Sequence, residues 1–222
     1  MIKIADPECR LALAYVPANQ RAAMTALWAL DELLSGILRG GRAPIVSQMR
    51  LTWWHDALTR LDTALAPAQP VLEAISRDVL PHGVTGAQLA VMIEGWEALL
   101  DEGALGDVAL AQYATARGRV LFAAMGHLLG VSDDAIGAAG EGWALVDLGL
   151  HLSDPELAAR ALALATPLLQ SALAIRWSRA ARPLGMLAHL ARIDAAAGRE
   201  IIRRQGSPAR VVRMMRHWLT GR

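Results

Sequence analysis

The chain has 222 residues, 22 Lys/Arg against 21 Asp/Glu, and a 54% hydrophobic composition. That length suffices for one large domain or two small ones. The single cysteine, Cys9, excludes an intrachain disulfide and a cysteine-based metal cluster. Charges within residues 1–8 exclude a secretory signal, so a cytoplasmic location is expected.

Turn and capping residues divide the chain into helical periods. The first helix opens at Asp6-Pro7, Asn19 is a candidate cap for the second, and Thr85 and Ser132 are candidate caps further along. The predicted helices cover about 6–15, 19–38, 45–66, 71–80, 86–100, 107–129, 133–152, 155–175 with an interruption at Pro167, 184–204 and 208–219. Strand-like alternation bounded by hairpin turns is missing from the sequence. We therefore predict a single all-α domain over residues 1–222.

The stretch 50–58, Arg-Leu-Thr-Trp-Trp-His-Asp-Ala-Leu, is the most distinctive part of the chain. Leu51, Trp54 and Leu58 lie on one face of a helix, and Trp53 broadens that face. Two adjacent tryptophans are costly to expose, which predicts a central helix packed on several sides. On spacing alone, an ordinary core helix is the simplest interpretation.

The charge is distributed unevenly along the chain. Residues 1–175 carry 11 Lys/Arg against 19 Asp/Glu, and residues 176–222 carry 11 against 2. In the last helix the basic residues Arg210, Arg213 and Arg216 share one face, and an apolar face that includes Trp218 lies opposite. Two interpretations stay open: a terminal helix docked on the body, or a segment that binds an anionic membrane or an acidic partner.

Taken together, several motifs resemble the squalene/phytoene synthase family. They are Asp6-Pro-Glu, Tyr15-Val-Pro17, Arg21, Ala26-Leu-Trp-Ala-Leu30 and above all Arg50-Leu-Thr-Trp-Trp-His-Asp-Ala-Leu58, with weaker agreement at Tyr113, His127-Leu-Leu-Gly130, Gly140-x-x-Trp143 and Arg182-Pro-Leu. The tryptophan-pair motif is similar to that of a divergent branch of the family, which a mitochondrial assembly factor of respiratory complex I also resembles. The resemblance implies an isoprenoid-synthase-like helical bundle.

Active members of that family join two prenyl diphosphates head to head, and two Asp-rich motifs on facing helices hold the Mg²⁺ ions that neutralise the leaving diphosphate. In this sequence the acidic positions of the first motif fall on Ser35, Gly36 and Arg39. Asp31 and Glu32 are nearby, but adjacent residues point about 100° apart on a helix. The resemblance therefore implies that the first metal motif is degenerate.

The second motif is expected on the helix after Gly140. Asp147, His151 and Asp154 lie at i, i+4 and i+7 there and share a face. They are the remnant catalytic candidates, although a solvated face that leads into an Asp-Pro helix start explains the same spacing. The small-residue turn after the family's helix tyrosine is replaced by Arg117-Gly-Arg119.

The resemblance also implies a largely apolar cavity between helices. Its candidate lining residues are Trp28, Asp31, Arg50, Trp54 and Trp143. We expect a non-catalytic protein that binds an isoprenoid or another apolar ligand, or that acts in assembly through a protein partner. The alternatives are a divergent Mg²⁺-dependent prenyl transferase and a membrane-surface scaffold, peripheral on the inner face of the membrane. No cofactor is expected unless the protein is catalytic, in which case it is Mg²⁺, and no nucleic-acid partner is expected.

Overall fold

A computed structural model describes residues 2–40, 43–100, 106–199 and 203–222. Most of these residues are helical, and none of them lies in a β-strand. The helices are α1 (Pro7–Ala14), α2 (Ala18–Arg39), α3 (Pro44–Arg60), α4 (Pro70–Ala74), α5 (Gly86–Glu97), α6 (Asp107–Tyr113), α7 (Val120–Leu128), α8 (Asp134–His151), α9 (Pro155–Ala172), α10 (Arg182–Ala197) and α11 (Pro208–Thr220). The prediction of an all-α protein is confirmed.

Local capping chemistry sets several helix starts as predicted. The Asp6 side chain accepts hydrogen bonds from the first turn of α1, Asp154 does the same for α9, and Thr85 with Gln88 forms a capping box at α5. The helix after Ser132 is capped by Asp133 instead. Asn19 is not a cap, because α2 already begins after Pro17.

Three predicted boundaries are wrong. Helix α3 ends at Arg60 and not near Ala66, because a turn follows it. Pro167 does not interrupt α9, which continues to Ala172 with the proline inside it. Helix α10 ends at Ala197, where Gly198 adopts a positive φ of 68° that stops the helix. Part of the predicted continuation to 204 lies outside the described residues.

Helix α3 contributes one face to the core and leaves the other in water. Leu51, Trp54 and Leu58 are buried, as their spacing predicts. Trp53, however, is 49% exposed, and Ile45 and Met49 on the same side are exposed as well. The expectation that both tryptophans are buried in a central helix is therefore wrong for Trp53.

Two glycines allow α8 to cross very close to the helix before it. Helix α6 runs through a π-helical segment (Ala114–Arg119) directly into α7. At the crossing, a Cβ atom on Gly118 would lie 2.2 Å from the carbonyl oxygen of Gly140, and a Cβ on Gly140 would lie 2.2 Å from that of Gly118. No larger residue fits at either position without moving a backbone, so the two glycines fix the distance between these helices.

A buried ion-pair cluster attaches the C-terminal helix to the rest of the fold. The Arg210 guanidinium donates to both carboxylate oxygens of Glu8 in α1, at 2.5 and 2.9 Å, and to both of Asp194 in α10, at 2.6 and 2.8 Å. Bidentate arginine–carboxylate pairs are among the strongest polar contacts in proteins. Helix α11 is therefore docked on the body through a charged residue.

His217 continues the same buried face of α11. Its ring is fully buried, lies 5.7 Å from the ring of His189, and neither nitrogen has a hydrogen-bond partner within the described part of the chain. Burial, followed by the nearby His189 and Arg182, lowers the pKa of His217 to about 4, and the backbone of Arg222 offsets only part of this. The ring is therefore buried in its neutral form.

None of the helices in the described ranges combines the length and the apolar character that crossing a bilayer requires.

We predict that wild-type stability falls between about pH 6.5 and pH 4 more steeply than that of a His217→Leu variant. In this range the unfolded chain takes up a proton that the folded His217 does not, so protonation favours unfolding by up to about 3 kcal/mol. Urea unfolding at about pH 7.5 and about pH 5 measures the effect. Parallel pH profiles for the two proteins would contradict it.

Candidate functional site

A cleft of ≈ 460 Å³ lies between α2 and α8, and we call it the polar lobe. Trp28, Asp31 and Arg39 line it from α2, and Trp143 and Asp147 line it from α8. The segment around Asp6 and the side chain of Gln205 complete the wall, and the two are joined by a hydrogen bond of 3.1 Å. The structure thus has a cavity between the helices that carry Trp28 and Trp143.

One buried arginine joins the two walls of this cleft. Arg117 donates to both carboxylate oxygens of Asp31 on α2, at 2.7 and 2.8 Å, and to Oδ2 of Asp147 on α8, at 2.6 Å. A further hydrogen bond links it to the hydroxyl of Tyr113, one turn earlier on its own helix. The guanidinium therefore lies directly between the acidic residues of the facing helices.

Aromatic rings surround the same guanidinium. Its central carbon lies 4.5 Å from the ring centre of Trp96 and 4.7 Å from that of Trp143. Trp143 in turn packs on Trp28 and Phe122, with ring centres 5.3 and 5.5 Å away. Cation–π contacts of this kind are strongest where water is excluded, and the Arg117 side chain is only 2% exposed.

The charges of this cluster reinforce one another. Burial alone lowers the pKa of Arg117, but Asp31, Tyr113 and Asp147 more than compensate and hold it well above its usual value. Burial raises the pKa of Asp147, yet Arg117 and His151 bring it below its usual range. Arg117 and Asp147 are therefore both ionised at neutral pH, as a stable buried pair requires.

Asp147 has two further basic neighbours at the mouth of the cleft, Arg39 and His151. The Nη2 atom of Arg39 lies 3.6 Å from Oδ2 of Asp147, and Nδ1 of His151 lies 3.3 Å from Oδ1. The Arg39 and His151 side chains are 52% and 49% exposed. The hydrogen bond to Asp147 is the main cause that raises the pKa of His151 above its usual value.

A second cavity, the apolar lobe, adjoins the polar lobe. It has a volume of ≈ 310 Å³ and shares four lining residues with the polar lobe: Ser35, Arg39, Asp147 and His151. The rest of its lining is mainly apolar and includes Leu38, Trp96, Leu99, Leu148 and Leu152. The two lobes therefore meet at these four residues, which include the basic side chains of Arg39 and His151.

Some of the predicted site residues lie at the cleft, and others lie elsewhere in the fold. Trp28, Asp31 and Trp143 line the polar lobe, as do Ser35, Gly36 and Arg39 at the degenerate motif positions. Arg50 and Trp54 line neither lobe; Trp54 is buried in the core face of α3. Asp147 and His151 meet at the cleft, whereas the Asp154 carboxylate caps α9 through the amides of residues 156 and 157.

The basic surface predicted for α11 is only partly present. Arg213 and Arg216 are exposed, but Arg210 is 8% exposed and engaged in the pairs with Glu8 and Asp194. Trp218 is partly buried, with its ring 4.8 Å from that of Tyr15. The placement of Arg210 on a free surface is therefore wrong.

The role of Arg117 was not predicted from the sequence. The segment Arg117-Gly-Arg119 stood out because it replaces small residues, but its partner Asp31 lies 86 residues away. Two sequence signals could have suggested the ion pair: Asp31, an acid outside the expected motif positions on α2, and Arg117, an arginine one turn after Tyr113.

The donor groups of this cleft do not fit a magnesium cluster. Mg²⁺ favours carboxylate oxygens and water in octahedral geometry. Asp31 uses both oxygens on Arg117, and Asp147 shares its oxygens among Arg117, Arg39 and His151. Within residues 2–40, 43–100, 106–199 and 203–222, no group of three or more His, Cys, Asp or Glu side chains could hold a metal ion.

We predict that Arg117→Met destabilises the fold by about 3–5 kcal/mol, because Asp31 is left as a buried charge without a partner. The double variant Arg117→Met/Asp31→Leu should recover much of this loss, since Asp147 keeps Arg39 and His151. Arg119→Met is the matched control: its side chain is 40% exposed, so its ion pair with Glu141 should contribute less. Urea unfolding compares the wild type, Arg117→Met, Asp31→Leu, the double variant and Arg119→Met. Additive effects of the two single substitutions in the double variant would contradict the coupling.

Comparison with known proteins identifies the family of this chain. The family model described as squalene/phytoene synthase matches residues 2–168, which is most of the chain. No curated protein and no solved structure matches at a significant level. The match covers α1 to α8 and most of α9, and so includes both walls of the cleft. The chain belongs to the squalene/phytoene synthase family and has its all-α isoprenoid synthase fold.

Proposed function

We propose that this protein is a non-catalytic member of its family that binds an isoprenoid or another apolar ligand in the two-lobed cleft. One observation carries the proposal: the Arg117 guanidinium occupies the position between Asp31 and Asp147. In the catalytic pattern that the family resemblance implies, acids on these facing helices hold divalent cations. Here a cation that belongs to the protein neutralises them.

The degenerate first motif supports the same proposal. Ser35, Gly36 and Arg39 line the polar lobe at the positions where acidic residues were expected. Arg39 places a positive charge on the α2 wall. In the catalytic pattern that the resemblance implies, acids on that wall would hold a metal ion bound to the diphosphate. The apolar lobe still provides a pocket at the lower end of the volume range typical of small-molecule sites. Loss of the metal ligands with retention of the pocket favours binding over turnover.

An assembly role through a protein partner agrees equally well with the loss of metal ligands. The ligand-binding role is preferred because the cleft is not filled by side chains. A divergent prenyl transferase is the competing candidate. Its support is that Asp31 and Asp147 still face one another across the cleft.

Farnesyl or geranylgeranyl diphosphate should give no condensation product with this protein and Mg²⁺. Arg117 satisfies the carboxylates, so the ions that assist departure of diphosphate lack their ligands. Chromatography of the extracted products after long incubation checks this. Farnesol binding, measured by tryptophan fluorescence on the same sample, shows that the cleft of that sample still binds an apolar ligand. Product that disappears on Asp147→Asn or Asp31→Asn would establish the transferase instead.

A peripheral membrane location is a separate candidate, favoured by the exposed Arg213 and Arg216 and by exposed Val212 and Leu219 beside them. Met214 is buried and Trp218 is partly buried, so most of the apolar face of α11 is not free for a bilayer. The arginines, each worth about 1 kcal/mol near an anionic surface, are the main available contribution.

We therefore predict weak binding to anionic vesicles that fades as salt is raised. Arg213→Gln/Arg216→Gln should reduce co-sedimentation several-fold, and Arg60→Gln/Arg179→Gln, which removes two exposed charges elsewhere, should not. These substitutions leave the buried Arg210 and His217 intact, unlike removal of the whole helix. Binding that persists in high salt, or equal losses in both double variants, would contradict a role for this helix.

A further inference from the structure

We propose that Arg39 and His151 bind the single anionic head of an amphipathic ligand, such as a medium-chain carboxylate, whose tail lies in the apolar lobe. This rests on the proposed function and deepens it, since it names the ligand class and the residues that distinguish it. It also removes the need for a divalent ion, because the protein itself supplies the positive charge at the junction of the two lobes.

The distribution of ion pairs leaves Arg39 with unused donors. Asp31 and Asp147 already accept short hydrogen bonds of 2.6–2.8 Å from Arg117. Arg39 reaches Asp147 only at 3.6 Å and is 52% exposed. A guanidinium has five N–H donors in a planar fork that matches a carboxylate. Arg39 can therefore keep its contact with Asp147 and present other donors to a ligand.

The hydrogen bond that His151 makes through Nδ1 leaves Nε2 as the nitrogen available to a ligand. Nδ1 lies 2.7 Å from the backbone carbonyl oxygen of Asp147. A carbonyl oxygen only accepts, so Nδ1 carries the hydrogen, and Nε2 is the nitrogen through which the ring can meet a ligand. When the ring takes up a second proton, Nε2 becomes a charged donor. Asp147 favours that proton, as the raised pKa of His151 reflects.

The charges around the junction favour a ligand of low charge. Four acids line the cleft, Asp6, Asp31, Glu32 and Asp147, and they face Arg117, Arg39 and, when it is protonated, His151. Cys9 and Tyr113 are the other titratable groups in the lining of the two lobes. Glu32 accepts hydrogen bonds from the amides of residues 5 and 6. A diphosphate would bring several more negative charges, which these cations do not neutralise without metal ions.

The apolar lobe provides the space and the apolar surface for the tail of the ligand. Leu38 and Arg39 are adjacent at the end of α2, and His151 and Leu152 are adjacent at the end of α8. Arg39 and His151 therefore each have an apolar neighbour on the lobe wall. Trp96, in the last turn of α5, and Leu99, just after that helix, line the same lobe. A ligand whose head contacts Arg39 and His151 would place its tail against these side chains. The lobe volume of ≈ 310 Å³ restricts it to a single tail of moderate length.

The test measures binding of dodecanoate and dodecanol to the full chain by calorimetry, with EDTA present. The two probes share a tail and differ in the charge of the head. Dodecanoate should bind at least tenfold more tightly than dodecanol, and Arg39→Met should remove most of that difference. Arg60→Gln is the matched control for loss of an exposed arginine and should have no effect.

The pH dependence and a blocked pocket test the two halves of the site separately. Dodecanoate affinity should rise as the pH falls from about 8 to about 6, and His151→Gln, which keeps a neutral donor near the Nε2 position, should flatten that profile.

Leu152→Trp should abolish binding of both probes by filling the apolar lobe. A variant that retains wild-type binding with the lobe filled would place the ligand elsewhere and overturn the proposal.

The outcomes also separate this inference from the function on which it rests. Equal affinities for dodecanoate and dodecanol, with no effect of Arg39→Met, would overturn the anionic-head assignment but leave an apolar-ligand cleft intact. Failure of dodecanoate, dodecanol and farnesol alike to bind would overturn both. Tight binding of farnesyl diphosphate that requires Mg²⁺ would contradict the metal-independent site and support the transferase.

Discussion

The contact on which the cleft depends is the placement of one guanidinium between two carboxylates and two indole rings. Moving three charged groups out of water is costly, and the cost is offset only where each group finds close partners. Arg117 meets this condition with Asp31, Asp147 and Tyr113 as hydrogen-bond partners and Trp96 and Trp143 on its faces. The same contact joins α2, the α6–α7 helix and α8. Removal of any one partner therefore affects both the packing of the helices and the charge of the cleft.

That placement requires an unusual backbone. Arg117 lies in the π-helical segment, next to Gly118, whose backbone is in close contact with Gly140 of α8. A π-helical turn shifts the side chains that follow relative to a regular α-helix, and such turns are frequent at functional sites. The close crossing brings Arg117 within reach of Asp147, which lies two turns beyond Gly140. The glycines and the π-helical turn are thus the local conditions for an interaction between distant parts of the sequence.

The roles of residues that bond to near neighbours in the sequence could be predicted from it. The roles of residues whose partners are distant in the sequence could not. Asp6, Thr85 and Asp154 were predicted as helix starts because a cap bonds to amides two or three residues away. The buried face of α11 was predicted wrongly because helical periodicity treats every arginine as exposed. Arg210 is buried since Glu8, 202 residues away, and Asp194 are its partners. Periodicity does not predict the burial of His217 either. Its ring is buried because it packs against Gly185, where a side chain would occupy the same space.

A tethered cation and a bound metal ion neutralise the same acids but have different consequences for chemistry. A metal ion held by carboxylates keeps open coordination positions, through which it can polarise a substrate oxygen. A guanidinium has only N–H donors, and Arg117 directs them at Asp31, Asp147 and Tyr113. To expose the carboxylates, Arg117 would have to break several charge-assisted hydrogen bonds, each worth about 1.5–3 kcal/mol, and leave its aromatic faces. The acids are consequently held in charge-assisted hydrogen bonds, whereas Arg39 and His151 at the cleft mouth make longer contacts with the Asp147 carboxylate.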